Sequence, residues 1–191
     1  MNHIHHTEAV VLAGYAKGEA DKMLALYTRD FGLVRADAKG IRKSTSKLRF
    51  ALQPYTIVRV DLIVTRAAYR AGSTDVLFYL SSPSMPILSI LYRISALVRR
   101  LVPEEEKNEP LYDTLTDLLK FLSTTSQENE VLAAIELLAV FRILYHLGYV
   151  TEQAEHTLAD IPITRNLLDH VIERRESLVA LVNTSLRETM L

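Results

Sequence analysis

The sequence predicts an α+β chain of two domains, a small antiparallel β-barrel over residues 1–80 followed by an all-α helical domain over residues 81–191. Three observations predict it. Before residue 81, short apolar runs are separated by closely spaced turn signals, the pattern of a small barrel. After Ser81-Ser82-Pro83 the apolar period becomes helical. Charge divides at the same place: residues 1–80 carry 12 Lys+Arg against 7 Asp+Glu, and residues 81–191 carry 10 against 16. The formal net charge of −1 thus hides a basic first half and an acidic second half, as expected of domains with different partners.

In the first domain, Thr7–Tyr15 is rich in Val, Leu and Ala and runs through Gly14 into a loop at Gly18. Lys22–Arg29 alternates loosely, and local pattern leaves helix and strand both open. Phe31-Gly32 supplies a turn and Leu33–Ala38 a short strand; Gly40 then opens a polar, basic connection through Ser46. Tyr55–Arg66 is the clearest strand, with Val58, Val60, Leu62 and Val64 on one face and Arg59, Asp61 and Thr65 on the other. At roughly 3.3 Å per residue it would run about 40 Å, which suits a coiled strand in a barrel. Gly72-Ser73 reads as a turn into Val76–Leu80.

In the second domain, Ile87, Ile90, Leu91, Ile94, Leu97, Val98 and Leu101 mark one face of a helix that Pro103 and Glu104-Glu105-Glu106 end, the glutamates reading as a solvated loop. Pro110 suits the first turn of a second helix, whose stripe is Leu111, Leu115, Leu118, Leu119 and Leu122. Thr125 and Glu128 have capping-box spacing before a third. That helix is apolar nearly all round (Val131, Leu132, Ile135, Leu138, Val140, Phe141, Leu144), which predicts the buried centre of a bundle, with Gly148 to stop it. Thr164–Leu186 is one long helix or two shorter ones, with Leu168, Val171, Leu178, Val182 and Leu186 inward.

Composition and motifs exclude several classes. With 49% hydrophobic and 24% charged residues the chain is globular and not intrinsically disordered. No stretch approaches about 18 uncharged apolar residues, so no transmembrane helix is expected. The first residues lack the regions of a signal peptide, and the expectation is a soluble cytoplasmic protein. The chain has no cysteine, which removes disulfides, thiolate catalysis and cysteine-ligated metal sites. Phosphate-cradling glycine loops of Walker or Rossmann spacing and the G-x-S-x-G elbow are absent. His3, His5 and His6 lie at a terminus expected to fray, and His146, His156 and His170 are scattered. Neither group reads as a metal site. No enzyme, metal or cofactor is expected.

The strongest electrostatic feature is a basic run. Lys39, Arg42, Lys43, Lys47 and Arg49 fall within eleven residues that hold no acid, and Arg35 sits just upstream. Phosphates attract such residues, and their neutralisation releases counterions. A basic loop between barrel strands is a usual grip on a nucleic-acid backbone in oligonucleotide/oligosaccharide-binding (OB) folds. Eight of the Phe and Tyr residues also lie in the first domain: Tyr15, Tyr27, Phe31, Phe50, Tyr55, Tyr69, Phe78 and Tyr79. Most of these read as core or turn residues.

Residues 7–60 resemble the N-terminal barrel of the RecO recombination mediators. The resemblance rests on Thr7-Glu8-Ala9-Val10-Val11-Leu12, Gly18-Glu19-Ala20-Asp21, Leu26-Tyr27-Thr28-Arg29-Asp30-Phe31-Gly32-Leu33, Ala38-Lys39-Gly40-Ile41-Arg42-Lys43, Ser46-Lys47-Leu48-Arg49 and Leu52-Gln53-Pro54-Tyr55, in that order and spacing. In the helical half, Phe141-Arg142-Ile143-Leu144-Tyr145-His146-Leu147-Gly148-Tyr149 is similar to the helix end ahead of the family's zinc-binding region. The resemblance implies an OB-fold barrel followed by a helical domain, with Lys22–Arg29 as strand. It further implies a nucleoid-associated protein that binds and anneals single- and double-stranded DNA. Such proteins help load the RecA recombinase onto strands covered by single-strand-binding protein, acting with RecR and contacting the acidic tail of the single-strand-binding protein.

This chain departs from the family in two respects. The four-cysteine zinc site of many members is missing from Val150–Ile163, and the chain is short for the family. Arg99, Arg100 and Arg142 read first as ordinary surface or buried-pair arginines and second as a seat for an acidic peptide tail. The sequence therefore carries two expectations. The first is a DNA-binding recombination mediator that grips phosphates with Arg35, Lys39, Arg42, Lys43, Lys47 and Arg49. The second is a non-enzymatic protein-interaction adaptor on a barrel that has lost useful DNA affinity.

Overall fold

The computed structural model describes residues 3–65, 68–125, 128–150 and 156–188. The chain divides into two compact units, one formed by the residues up to Ser81 with Val102–Tyr112, the other by Ser82–Leu101 with the residues from Asp113 onward.

The first unit is a closed barrel of β1 (Ile4–Lys17), β2 (Asp21–Thr28), β3 (Gly32–Ala38), β4 (Ile57–Val64) and β5 (Tyr69–Phe78), in the order β1-β2-β3-β5-β4. This is the OB architecture that the sequence predicts, and Lys22–Arg29 is strand. β1 serves two neighbours: Ile4–Val10 pair with β4 and Ala9–Lys17 with β2, with a bulge between Val11 and Ala13. Such a bulge sharpens the coil that lets one strand wrap a barrel. The barrel closes where β3 meets β5 in parallel, at Ala36 opposite Tyr69 and Asp37 opposite Arg70. Period-two alternation fills the interior with Ala9, Val11, Leu24, Leu26, Val34, Ala36, Val58, Val60, Leu62 and Ala71. Each such Leu or Val contributes about 1.5–3 kcal/mol relative to exposure. A short helix, α1 (Leu48–Ala51), follows the β3 connection, and Ile41 and Leu52 anchor its flanks in the same core.

Three sequence expectations for the barrel are corrected. The clearest strand begins later than Tyr55, which turns with φ 68°, and its ladder ends at Val64, before Thr65, whose Oγ1 accepts from the Ala68 amide at 3.2 Å; its expected end at Arg66 lies outside the described residues. Gly72 is not a turn. It lies inside β5 opposite a register shift between Val60 and Leu62, where a Cβ would meet Ile63 and Asp61 at 3.2–3.3 Å. Glycine here permits close strand approach, a role that local sequence does not separate from turning. The N-terminal histidines are not frayed: His5 and His6 lie in β1, and His6 Nδ1 meets Asp61 Oδ1 at 2.6 Å.

The second unit is helical, built from α2 (Met85–Leu101), most of α3 (Glu109–Leu122), α4 (Asn129–His146), α5 (His156–Asp160), α6 (Arg165–Glu173) and α7 (Arg175–Glu188). α4 packs against α2, α5, α6 and α7, the central place that its all-round apolar surface predicts. It ends in a Schellman motif: Gly148 takes φ 79°, its amide donates to the Tyr145 carbonyl, and the Tyr149 amide donates to the Leu144 carbonyl. Thr125 does not cap it. Glu128, with extended backbone, precedes the first helical residue, so the capping-box reading started the helix three residues early. The Thr164–Leu186 segment is two helices that break at Arg174, and the Thr164 hydroxyl caps the first by accepting from the Leu167 amide at 3.3 Å.

Candidate nucleic-acid interface

The basic segment is a folded connection from β3 to α1, pinned to the β1–β2 turn. Gly40, at φ 65°, points its amide at Asp21 Oδ1 (2.7 Å), and Lys39 Nζ reaches Asp21 Oδ2 (2.8 Å). The Arg42 amide donates to the Ala20 carbonyl, and its guanidinium donates to the Gly18 carbonyl, both at 2.9 Å. Ile41 between them is buried in the barrel core. The Gly40 amide and then the Lys39 ammonium hold the Asp21 carboxyl below its usual range, and Asp21 in turn holds Lys39 above its own. Lys39, Arg42 and Lys43 thus gather at one end of the barrel. Lys47 and Arg49 lie further on, at α1.

The six sequence-predicted residues differ in what they already touch. Arg35, on β3, meets Glu104 Oε1 at 2.5 Å, and Lys39 is paired with Asp21. Arg42 is half committed to the turn carbonyl. Lys43, Lys47 and Arg49 are exposed, and among the described residues no carboxylate pairs with them. Arg49 stands 6.0 Å from the Phe50 ring centroid.

The fold adds cations that linear reading missed. Parallel pairing of β3 with β5 brings Arg70 beside Asp37, close enough for its charge to oppose protonation of Lys39. Lys17, at the end of β1, donates to Asp37 at 2.7 and 2.9 Å. Arg70 lies more than twenty residues beyond the loop in sequence, and only barrel closure joins them.

The outer face of β2–β3, a usual ligand platform in this fold, is covered over part of its length by the chain's own 102–112 segment. The Tyr27 hydroxyl donates to the Asn108 carbonyl at 3.2 Å, and burial pushes that phenol well above its ordinary value. The Glu105 amide donates to the Leu33 carbonyl at 2.9 Å, and Glu104 forms a parallel bridge to Leu33. The glutamate run read as a solvated loop is therefore bound to the barrel by its backbone. The segment holds four glutamates and one lysine, so the barrel unit's charge balance falls from +5 to +2. The basic loop end stays open.

In the helical unit, Arg142 is buried. It donates to the carbonyls of Leu158 (2.8 Å) and Ile161, and burial lowers its basicity. Those bonds give it a structural role and leave it no face for an acidic peptide. Arg99 Nε donates to the Ser95 carbonyl at 3.1 Å. A cavity of about 280 Å³ is lined by Asp117, Lys120, Phe121, Pro162 and Ile163. Among the described residues no three His, Asp or Glu side chains cluster as metal ligands, and no helix is long and apolar enough to cross a membrane. The four-thiolate zinc set does not fit a chain without cysteine.

The comparisons with known proteins agree with this architecture. Residues 1–68 match the family described as Recombination protein O N terminal, and residues 85–155 match Recombination protein O C terminal. Proteins named DNA repair protein RecO are similar along most of the chain. That of Pelotomaculum thermopropionicum is 34% identical over 158 residues (80% of this chain, 59% of the relative), and that of Christiangramia forsetii is 27% identical over 174 (88% and 70%). That of Myxococcus xanthus is 30% identical over 136 residues, covering 70% of this chain. The chain spans 59%, 70% and 56% of the lengths of these three relatives. With a five-stranded OB barrel under the first match and a helical unit under the second, the chain belongs to the family of recombination protein O.

Proposed function

We propose that the chain is a non-catalytic mediator of recombinational repair that binds DNA through the end of its barrel. The observation that carries this reading is the pinned loop and the α1 that follows it, which present Lys43, Lys47 and Arg49 to solvent with no carboxylate partner among the described residues. Phosphate contacts from Lys and Arg are sequence-independent and salt-sensitive. Arg42, Lys39 and Arg70 extend the surface, and Arg35 joins it when Glu104 lets go. Two strands held on one basic surface repel each other less and meet at higher local concentration, which promotes annealing. Help in loading RecA onto single strands, docking of RecR and capture of the acidic tail of single-strand-binding protein belong to the same proposal, as does a place at the nucleoid in the cytoplasm. Their support is family membership.

The test is anisotropy of labelled single-stranded and duplex oligonucleotides titrated at several salt concentrations. Affinity that falls steeply with salt is expected, and absence of binding at low salt overturns the proposal. A second reading, the protein-interaction adaptor, draws on the ion pairs that already occupy Arg35 and Lys39. It predicts a full-length chain that retains a protein partner and no DNA.

A further inference from the structure

We infer that Phe50 is a base-stacking platform that gives the basic loop a preference for single-stranded DNA. The inference rests on the DNA-binding reading above and adds the chemistry that would discriminate between strands.

Helical phase in α1 turns Leu48 and Ala51 toward the barrel core and leaves Phe50 on the opposite side. Phe50 is 75% exposed, the most exposed of the aromatic residues of the barrel, where Tyr27 is fully buried and Phe31 and Tyr69 pack on the core. The ring is therefore not spent on folding. It also stands among cations. Lys47 precedes α1 and Arg49 lies within it, with the Arg49 guanidinium 6.0 Å from the ring centroid, and Lys43 lies one loop turn before them. An exposed ring beside unpaired cations is the combination by which single strands are held: cations follow the phosphates and the ring takes a base face. A duplex offers the same phosphates but keeps its base faces stacked. The cations therefore serve both substrates, whereas Phe50 serves only the unpaired one. An exposed apolar ring can also seat a protein partner, but the cations of its own segment, Lys43, Lys47 and Arg49, favour a polyanion.

The chain has no tryptophan, so Phe50→Trp introduces a single fluorophore at the site. The expected result is saturable quenching of that fluorophore by oligothymidine and little by a duplex of equal length. Phe50→Ala should weaken single-strand binding by about tenfold, with duplex affinity and both salt slopes unchanged. Thermal melts should match wild type, since the ring carries no packing. If wild type binds both substrates, equal single-strand affinity for Phe50→Ala overturns the inference while leaving the DNA-binding reading intact, and points to Phe50 as a protein contact. Equal losses on both substrates overturn it as well. If wild type binds neither, both readings fall.

Discussion

Glu104 Oε1 lies 2.5 Å from Arg35 Nε, and the same glutamate bridges the β3 backbone at Leu33. An acidic side chain thus holds a cation that the proposed interface would otherwise offer to a phosphate. Both partners are half-exposed, so the pair adds only about 0–1 kcal/mol to stability. Glu104→Gln keeps the backbone bridge and releases Arg35. DNA affinity at low salt should rise, with the salt slope steeper by up to about one unit. Anisotropy titrations at several salt concentrations check this, and an unchanged slope assigns Arg35 no part in binding.

The loop cations should separate by what they touch. Lys43→Ala and Lys47→Ala remove exposed charges with no carboxylate partner among the described residues, and should each flatten the salt slope by up to about one unit without moving the melting temperature. Lys39→Ala removes a charge and also the Asp21 contact, so it should lower the melt slightly and the affinity less. Replacing Lys39, Arg42 and Lys43 together should flatten the slope by up to about three units. Paired salt titrations and melts distinguish the two classes.

Gly32 and Gly18 share a left-handed backbone but not a neighbourhood. A Cβ at Gly32 would meet the Glu106 carbonyl oxygen at 1.9 Å, while at Gly18 nothing lies within 4 Å. Gly18→Ala should therefore cost only the conformational penalty, about 1–2 kcal/mol. Gly32→Ala should cost about 2–4 kcal/mol, because the 102–112 segment must also shift. Urea denaturation of the two variants measures the difference, and equal costs would show that the segment yields freely.

Much of the fold is legible because alternation and helical period survive in the inward residues. Val58, Val60 and Leu62 fall on the interior face that the sequence assigns them, and the stripe from Ile87 to Val98 is the buried face of α2. The errors come where one residue type serves two geometries, as at Gly72, or where partners are remote. Glu104–Glu106 read as a loop because their partners, Leu33 and Arg35, lie some seventy residues earlier. The basic run was visible as a count of charges. Which of them are occupied was not, since Asp21 and Glu104 reach them only through the barrel.

Arg142 closes α4 onto the 158–161 stretch. Arg142→Met keeps most of the buried volume but strips the Leu158 and Ile161 carbonyls of their donor. Leaving the buried Leu158 acceptor unpaired costs about 1–3 kcal/mol, and the partly exposed Ile161 carbonyl costs less. The variant should lose about 2–4 kcal/mol in urea melts while keeping the DNA affinity and salt slope of the wild-type chain. A loss of DNA affinity without a loss of stability would instead place Arg142 in a binding role.

His146, at the end of α4, should make the chain acid-sensitive. Burial pushes its imidazole below the ordinary 6.5, and the Arg142 charge pushes the same way, while Asp160 and Asp113 oppose them. The folded chain therefore binds this proton less readily than the unfolded chain. Where the unfolded state binds more protons, stability rises with pH. The contribution is complete above 6.5 and is lost as pH falls through and below that value. Asp21 acts the same way in a lower window, because its carboxyl is held below the ordinary 3.8. Melts between pH 7.5 and 5 thus isolate the histidine from the carboxylate. His146→Gln cannot take up the proton, so its stability should fall less over that range than that of wild type. Parallel pH profiles for the two would remove His146 from the acid response.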